Sequence, residues 1–142
     1  FIGKLKNNRR RSILKTIENE LSAHNIKIVV IDQSCYGQKR TKLLNRTRIV
    51  LDIIRVPWEM SMMRLMMSMG CGALVVSNWV GHIEPLTNKH LVQAKNDKIA
   101  EVIRYYLDNK DERKVISEAA YKFVTQNLTL KNSISKIMEK IK

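Results

Sequence analysis

The chain has 142 residues, 44% of them hydrophobic and 6% aromatic, with a formal net charge of +13. That apolar content excludes a disordered chain and suffices for one globular domain with a real core, while no apolar run approaches the roughly 20 residues of a bilayer-spanning helix. No secretory leader pattern opens the sequence, so the expected setting is cytoplasmic, with contact to a membrane peripheral at most.

Charge is unevenly placed: residues 1–56 hold 13 Lys and Arg against 4 Asp and Glu, and residues 57–142 hold 13 against 9. A positive field concentrated in the first third attracts phosphates, whether on a nucleotide, a nucleic acid or an anionic membrane surface. Phe1-Ile2-Gly3 reads as the end of a strand whose beginning is expected to lie upstream. Six basic residues then run from Lys4 to Lys15, with no acid before Glu18, onto a helix carrying Ile13, Leu14, Ile17 and Leu21 at helical spacing. Cations at a helix N-terminus oppose its dipole, and together with the free N–H groups there they would form an anion site. The plain alternative is a solvated basic face.

Ile26 to Ile31 is a β-branched run of buried parallel type. Tyr36 to Leu44 reads as a short helix, and Arg48 to Ile54 as a third strand closed by Pro57. Between Met60 and Met69 lie six of the seven methionines, on a helical segment apolar on two sides and so expected to be buried by two neighbours. Gly70 and Gly72 supply a turn into the strand Ala73 to Ser77, which opens into the polar loop from Asn78 to Glu84. Ligands in open α/β sheets bind beyond the carboxyl ends of the strands, which places the chemistry between Ser77 and Glu84.

His90 to Gln93 is a short fifth strand. Three helices follow: one capped by Asn96 or Asp97 and running to Leu107, one opened by Asp111-Glu112, and one capped by Thr129 and carrying Leu130, Ile134, Ile137, Met138 and Ile141. Strand starts roughly 20 to 27 residues apart with helices between them predict βαβ units. The expected fold is a Rossmann-like α/β three-layer sandwich, its parallel sheet of about five strands in the order 3-2-1-4-5, followed by C-terminal helices. The methionine helix and the last helix are expected to be only partly covered within this chain, leaving a surface for self-association. Cys35 and Cys71 lack metal-ligand spacing and read as reduced thiols.

The Gly3-Lys4 turn with its basic run, the Arg64-to-Gly72 helix and turn, the Ala73-to-Ser77 strand, Gly81-His82-Ile83-Glu84-Pro85-Leu86 and the closing helices resemble the C-terminal, donor-binding domain of GT-B fold glycosyltransferases, nearest to the group-one and spore-maturation-protein-like branches. The resemblance spans essentially the whole chain. It implies one domain over residues 1–142, the C-terminal half of a longer enzyme that moves a sugar from a nucleoside-diphosphate sugar to an acceptor held by an N-terminal domain, without which this half would be inactive. Gly3, Lys4 and one of Arg9, Arg10 or Arg11 would cradle the donor pyrophosphate. Glu59, Arg64, Asn78, Gly81, His82 and Glu84 would complete the donor site, with no metal and no other cofactor. The sequence departs from the family at Met67, where the retaining branch carries a second glutamate that holds the ribose. A thioether cannot replace a carboxylate toward a diol.

Two other readings stand beside it. One is a non-catalytic module that keeps the fold. The other is a basic nucleic-acid-binding module, which needs stacking aromatics that residues 4–15 lack.

Overall fold

A computed structural model describes residues 1, 3–31, 35–56, 62–78, 86 and 89–141. In chain order these form α1 (Asn8–Ser22), α2 (Gly37–Asn45), β1 (Ile49–Asp52), α3 (Met62–Gly70), β2 (Leu74–Ser77), β3 (Val92–Gln93), α4 (Ile99–Asp108), α5 (Lys110–Asn127) and α6 (Leu130–Ile141). α1 starts where the Asn7 side chain accepts the Arg10 backbone N–H at 2.9 Å, and it buries Leu14, Ile17 and Leu21, the stripe its spacing predicts. α3 ends in a Schellman turn: Gly72 N–H reaches the Met69 carbonyl at 2.9 Å and Ala73 N–H the Ser68 carbonyl at 3.1 Å. Gly72 holds φ +77°, a conformation that glycine adopts without penalty.

The three strands form a parallel sheet in the order β1-β2-β3, with Val50 beside Val75, Leu51 beside Val76 and Val76 beside Val92. Alternation along the strands separates two cores. Leu51, Ile53, Leu74 and Val76 face α1 and α4, where they meet Leu14, Ile17, Leu21, Ile99 and Ile103. On the other face Val75 joins Leu65 and Met69 of α3 and Ala120 and Val124 of α5, while Val50 and Ala73 pack with Leu44 of α2. The result is the three-layer, Rossmann-like α/β arrangement that the element spacing predicts.

The strand order differs from expectation. An order of 3-2-1-4-5 separates the Arg48 and Ala73 segments by two strands, whereas β1 and β2 pair directly. They are consecutive in sequence, joined by a single crossover, and both almost fully buried, so adjacent placement satisfies their backbone and their apolar faces at once. The Ile26–Ile31 run also differs. Rather than a buried strand it is a half-buried segment with Val29 59% exposed. It bonds to the chain start: Phe1 nitrogen donates to the Val29 carbonyl, Ile31 N–H to the Phe1 carbonyl and Gly3 N–H to the Ile31 carbonyl, each at 2.9 Å. An apolar cavity of about 600 Å³, lined by Phe1, Ile28, Val29, Ile49, Leu51 and Ile103 among others, lies between this segment and β1.

The α4 cap is corrected as well. The helix begins after Lys98, and no side chain caps it, because the Asn96 side chain is engaged by Asn78. Thr129 does cap α6, its Oγ1 accepting the Asn132 N–H at 3.2 Å. The methionine helix is covered on two sides, Met62, Met66 and Met69 lying on the α5 side and Met67 on the α2 side, but Met63 stays 70% exposed, and Met60 lies outside the described residues. No residue of α6 is buried.

Candidate functional site

β1 and β2 run parallel, so their carboxyl ends open on one edge of the layer, and Phe1, the N-terminus of α1 and the start of α3 arrive there too. At the centre is Asp52, the last residue of β1 and 1% exposed. One carboxylate oxygen takes the Arg64 guanidinium at 2.5 Å, and the other accepts the Ser77 hydroxyl of β2 at 3.1 Å. Arg64 projects from the first turns of α3, one helical turn before Ser68, whose hydroxyl donates back to the Arg64 carbonyl. The pair therefore ties a helix to two strand ends.

Two guanidinium groups, those of Arg10 and Arg64, stand over the Phe1 ring, each 5.7 Å from its centroid. A side chain at Gly3 would crowd this corner. A Cβ on Gly3 would stand 3.1 Å from the Phe1 ring and 3.4 Å from Arg64 Nη2, at a φ of +157°.

The basic run divides by role. Arg10 is 3% exposed, with Nε donating to the Ile53 carbonyl at 2.8 Å and Nη1 to the Lys4 carbonyl at 3.3 Å. Arg9 Nη1 donates to the Ile54 carbonyl at 2.8 Å, and Arg11 holds the Leu5 carbonyl through Nε and Nη2. These arginines gather the carbonyls of Ile53, Ile54, Lys4 and Leu5 just beyond the end of β1. That is a second reason for cations at this helix start, beside the anion site that their position predicts. Lys4 and Arg9 remain exposed on the outside of the cluster.

Asn78 closes the edge. Its Oδ1 accepts the buried Ile54 N–H at 2.9 Å, and its Nδ2 donates to Asn96 Oδ1 at 2.9 Å, linking the ends of β1 and β2 to the approach to α4. Of the predicted site residues, the fold brings Gly3, Lys4, Arg9, Arg10, Arg64 and Asn78 to this one edge. Glu59, Gly81, His82 and Glu84 lie outside the described residues. Met67 packs with Leu44, Val50 and Ala73, so its side chain belongs to the α2-side core. Sequence reasoning missed Asp52 and Asn96; an acid closing the apolar run Ile49–Leu51, opposite an arginine on the next helix, was the available signal for the first. Among the described residues no three His, Cys, Asp or Glu side chains converge as metal ligands, and no helix is long and apolar enough to cross a membrane. Cys35 and Cys71 are free thiols, and burial pushes Cys71 up in pKa.

A parallel α/β layer flanked by helices on both faces, with cations and a helix N-terminus beyond the carboxyl ends of its strands, defines a Rossmann-like domain. Residues 9–139 match the profile of a glycosyl transferase-like family. The chain belongs to that family and is a glycosyltransferase-type domain. No curated protein sequence matches it.

Proposed function

We propose that this chain is the donor-binding domain of a GT-B glycosyltransferase of the group-one or spore-maturation-protein-like branch, transferring a sugar from a nucleoside-diphosphate sugar to an acceptor held by a second domain. The observation that carries the reading is the convergence of Gly3, Lys4, Arg9, Arg64 and Asn78 on the edge where the parallel strands end. A diphosphate placed there would meet Lys4 and Arg9 on the exposed rim, with the buried Arg10 and the half-buried Arg64 behind them. Charge that develops on the leaving pyrophosphate is stabilised by cations fixed in advance, since they need not reorganise during the reaction.

Arg64 and Arg10 hold the edge in shape, one through Asp52 and the other through the Ile53 and Lys4 carbonyls. Lys4 and Arg9 supply the adjustable charge. Because Met67 packs into the core and offers no oxygen to a ribose, affinity should come mainly from phosphate. It should then fall with added salt and discriminate weakly among bases.

Calorimetry with UDP, GDP and ADP at low and physiological salt, on the chain and on Lys4→Ala and Arg9→Ala, tests this. Saturable binding that weakens with salt and in both variants is expected. Binding indifferent to salt and to both changes, or none at millimolar ligand, overturns it. The same Met67 packing favours one second reading, a GT-B-like module that has kept the fold and lost catalysis. Donor binding without sugar transfer or hydrolysis when the second domain is supplied would establish that reading instead.

A further inference from the structure

Among the described residues Asp52 is the one buried acid. Taking a carboxylate and its partner out of water gains little for folding, since replacing such a pair by apolar groups of the same volume is often neutral or stabilising. Stability alone therefore does not explain why an acid closes the apolar run Ile49–Leu51.

What the acid does achieve is orientation. Its Oδ2 accepts the Ser77 hydroxyl at 3.1 Å, which fixes the carboxylate against β2, and its Oδ1 accepts from Arg64 Nη1 at 2.5 Å. The same guanidinium stands over the Phe1 ring. Held at one nitrogen and along one face, the planar group carries its other nitrogen toward the Gly3 turn, where Nη2 stands 3.4 Å from the position that a Gly3 Cβ would take. Nη2 has no acceptor among the described residues, and none of the buried side-chain nitrogen or oxygen atoms there lacks a partner, so its N–H groups are open to solvent. Lys4, exposed, comes next in the chain. A phosphate over this turn would meet one fixed donor and one movable cation.

We infer that Asp52 is a positioning residue for phosphate recognition: by holding Arg64 Nη1 it presents Arg64 Nη2 over the Gly3 turn as a direct donor to the diphosphate of a nucleotide. The inference rests on the donor-binding reading above and adds to it a residue that never touches the ligand, Asp52, and the atom it aims, Arg64 Nη2. Only a guanidinium suits the task. Its rigid fork lets one nitrogen serve a carboxylate while the other serves a phosphate, whereas a lysine ammonium is a single point of charge.

The test is calorimetry of UDP and of inorganic pyrophosphate on the chain, on Arg64→Lys and on Asp52→Asn, with NMR of the isotope-labelled Arg64 guanidinium. Arg64→Lys keeps the charge near Asp52 but removes the second nitrogen, so both ligands should bind roughly ten-fold more weakly, the loss of one charge-assisted hydrogen bond. Asp52→Asn is the sharper variant, because charge and aim predict opposite signs. Removing a carboxylate from beside an anion site strengthens binding by Coulomb attraction alone. Loss of aim weakens it, and a several-fold loss is expected. In the parent chain Nη1 and Nη2 should give separate signals, since a guanidinium held at one nitrogen rotates slowly about its Nε–Cζ bond. Pyrophosphate should shift Nη2 more than Nη1, a readout that needs no variant to fold, and in Asp52→Asn the two signals should merge. Unchanged or tighter binding by Asp52→Asn, unchanged binding by Arg64→Lys, or an Nη2 signal that pyrophosphate leaves in place overturns the inference, while weakened binding by Lys4→Ala and Arg9→Ala would still uphold the donor-binding reading. No binding of either ligand to the parent chain overturns both.

Discussion

Replacing Arg64 by methionine isolates what holds the functional edge together. Methionine keeps an apolar stem but removes the guanidinium, and with it both the ion pair to Asp52 and the cation–π contact with Phe1, of which the buried ion pair is the larger loss. The Asp52 side chain is 2% exposed and that of Arg64 16%, which places the pair near the buried limit. Breaking such a pair by removing one partner costs about 3 to 5 kcal/mol, because the remaining charge is left uncompensated in low dielectric. Two features set the figure near the lower end, about 3 kcal/mol: Arg64 is partly solvated already, and the Ser77 hydroxyl still donates to the carboxylate at 3.1 Å. For a chain of this length that corresponds to roughly 10 °C in thermal midpoint. Asp52→Asn should cost less, about 1 to 2 kcal/mol, since the amide is nearly isosteric and the freed guanidinium can swing into solvent. Urea denaturation followed by circular dichroism, at constant slope, measures both. The double variant should be less destabilised than the sum of the two by about 1.5 kcal/mol or more, the signature of a direct interaction. A loss under about 1 kcal/mol for Arg64→Met, or strict additivity, would refute the reasoning and make the pair a solvated surface contact.

Arg10→Met should lower stability by about 2 kcal/mol through the lost bonds to the Ile53 and Lys4 carbonyls, whereas Lys4→Ala should stay within about 0.5 kcal/mol in the same urea titration. Equal effects would mean that Arg10 is no more structural than Lys4. Asn78→Ala leaves the buried Ile54 N–H without its acceptor, so a loss of about 1 to 3 kcal/mol is expected, with faster hydrogen exchange at that amide by NMR. His90, stacked on Phe123 with centroids 4.4 Å apart, has its pKa lowered by burial and secondarily by Lys89. The unfolded chain then binds more protons than the folded one just below pH 6.5, so this group makes stability rise as pH rises through that window. NMR titration of His90 should give a pKa under that of a free histidine, and a higher one would reverse the sign.

Where a local pattern determined structure, the sequence was readable. The Leu14, Ile17 and Leu21 spacing marks α1, Gly72 marks the end of α3, and Thr129 marks the start of α6, because each depends on neighbours within one or two turns. Strand order does not. Whether the Arg48 segment lies beside Ile26–Ile31 or beside Ala73–Ser77 depends on which edges can satisfy each other's backbone, and the matched run of Val50 and Leu51 against Val75 and Val76 decides it. At the candidate site, the rule that ligands collect at carboxyl ends pointed to Ser77–Glu84 and the charge distribution to the basic run; naming Gly3, Lys4, Arg9, Arg10, Arg64 and Asn78 together rested on the family resemblance. Their separate roles were not. Composition records that Arg9, Arg10 and Arg11 are cationic, but burial and direction determine that Arg10 turns inward to carbonyls while Lys4 stays outside.

This division bears on how the edge can bind an anion without losing its shape. Cations clustered only for a ligand would repel one another whenever the site was empty and would destabilise the free domain. Here the Arg64 charge is matched by Asp52, and the buried Arg10 points at the Ile53 and Lys4 carbonyl oxygens, whose partial negative charge also favours it. The edge is therefore stable with several positive groups in place. What it offers a phosphate is the field of a fixed inner layer together with two exposed side chains, Lys4 and Arg9, of which Arg9 would exchange its bond to the Ile54 carbonyl for one to the ligand. Losses of affinity and losses of stability should accordingly fall on different residues: Lys4→Ala should change binding with little change in folding, while Arg64→Met should change folding first. If both substitutions moved both quantities in the same proportion, the edge would be a single uniform basic patch, and the separation of an inner frame from an outer binding layer would be wrong.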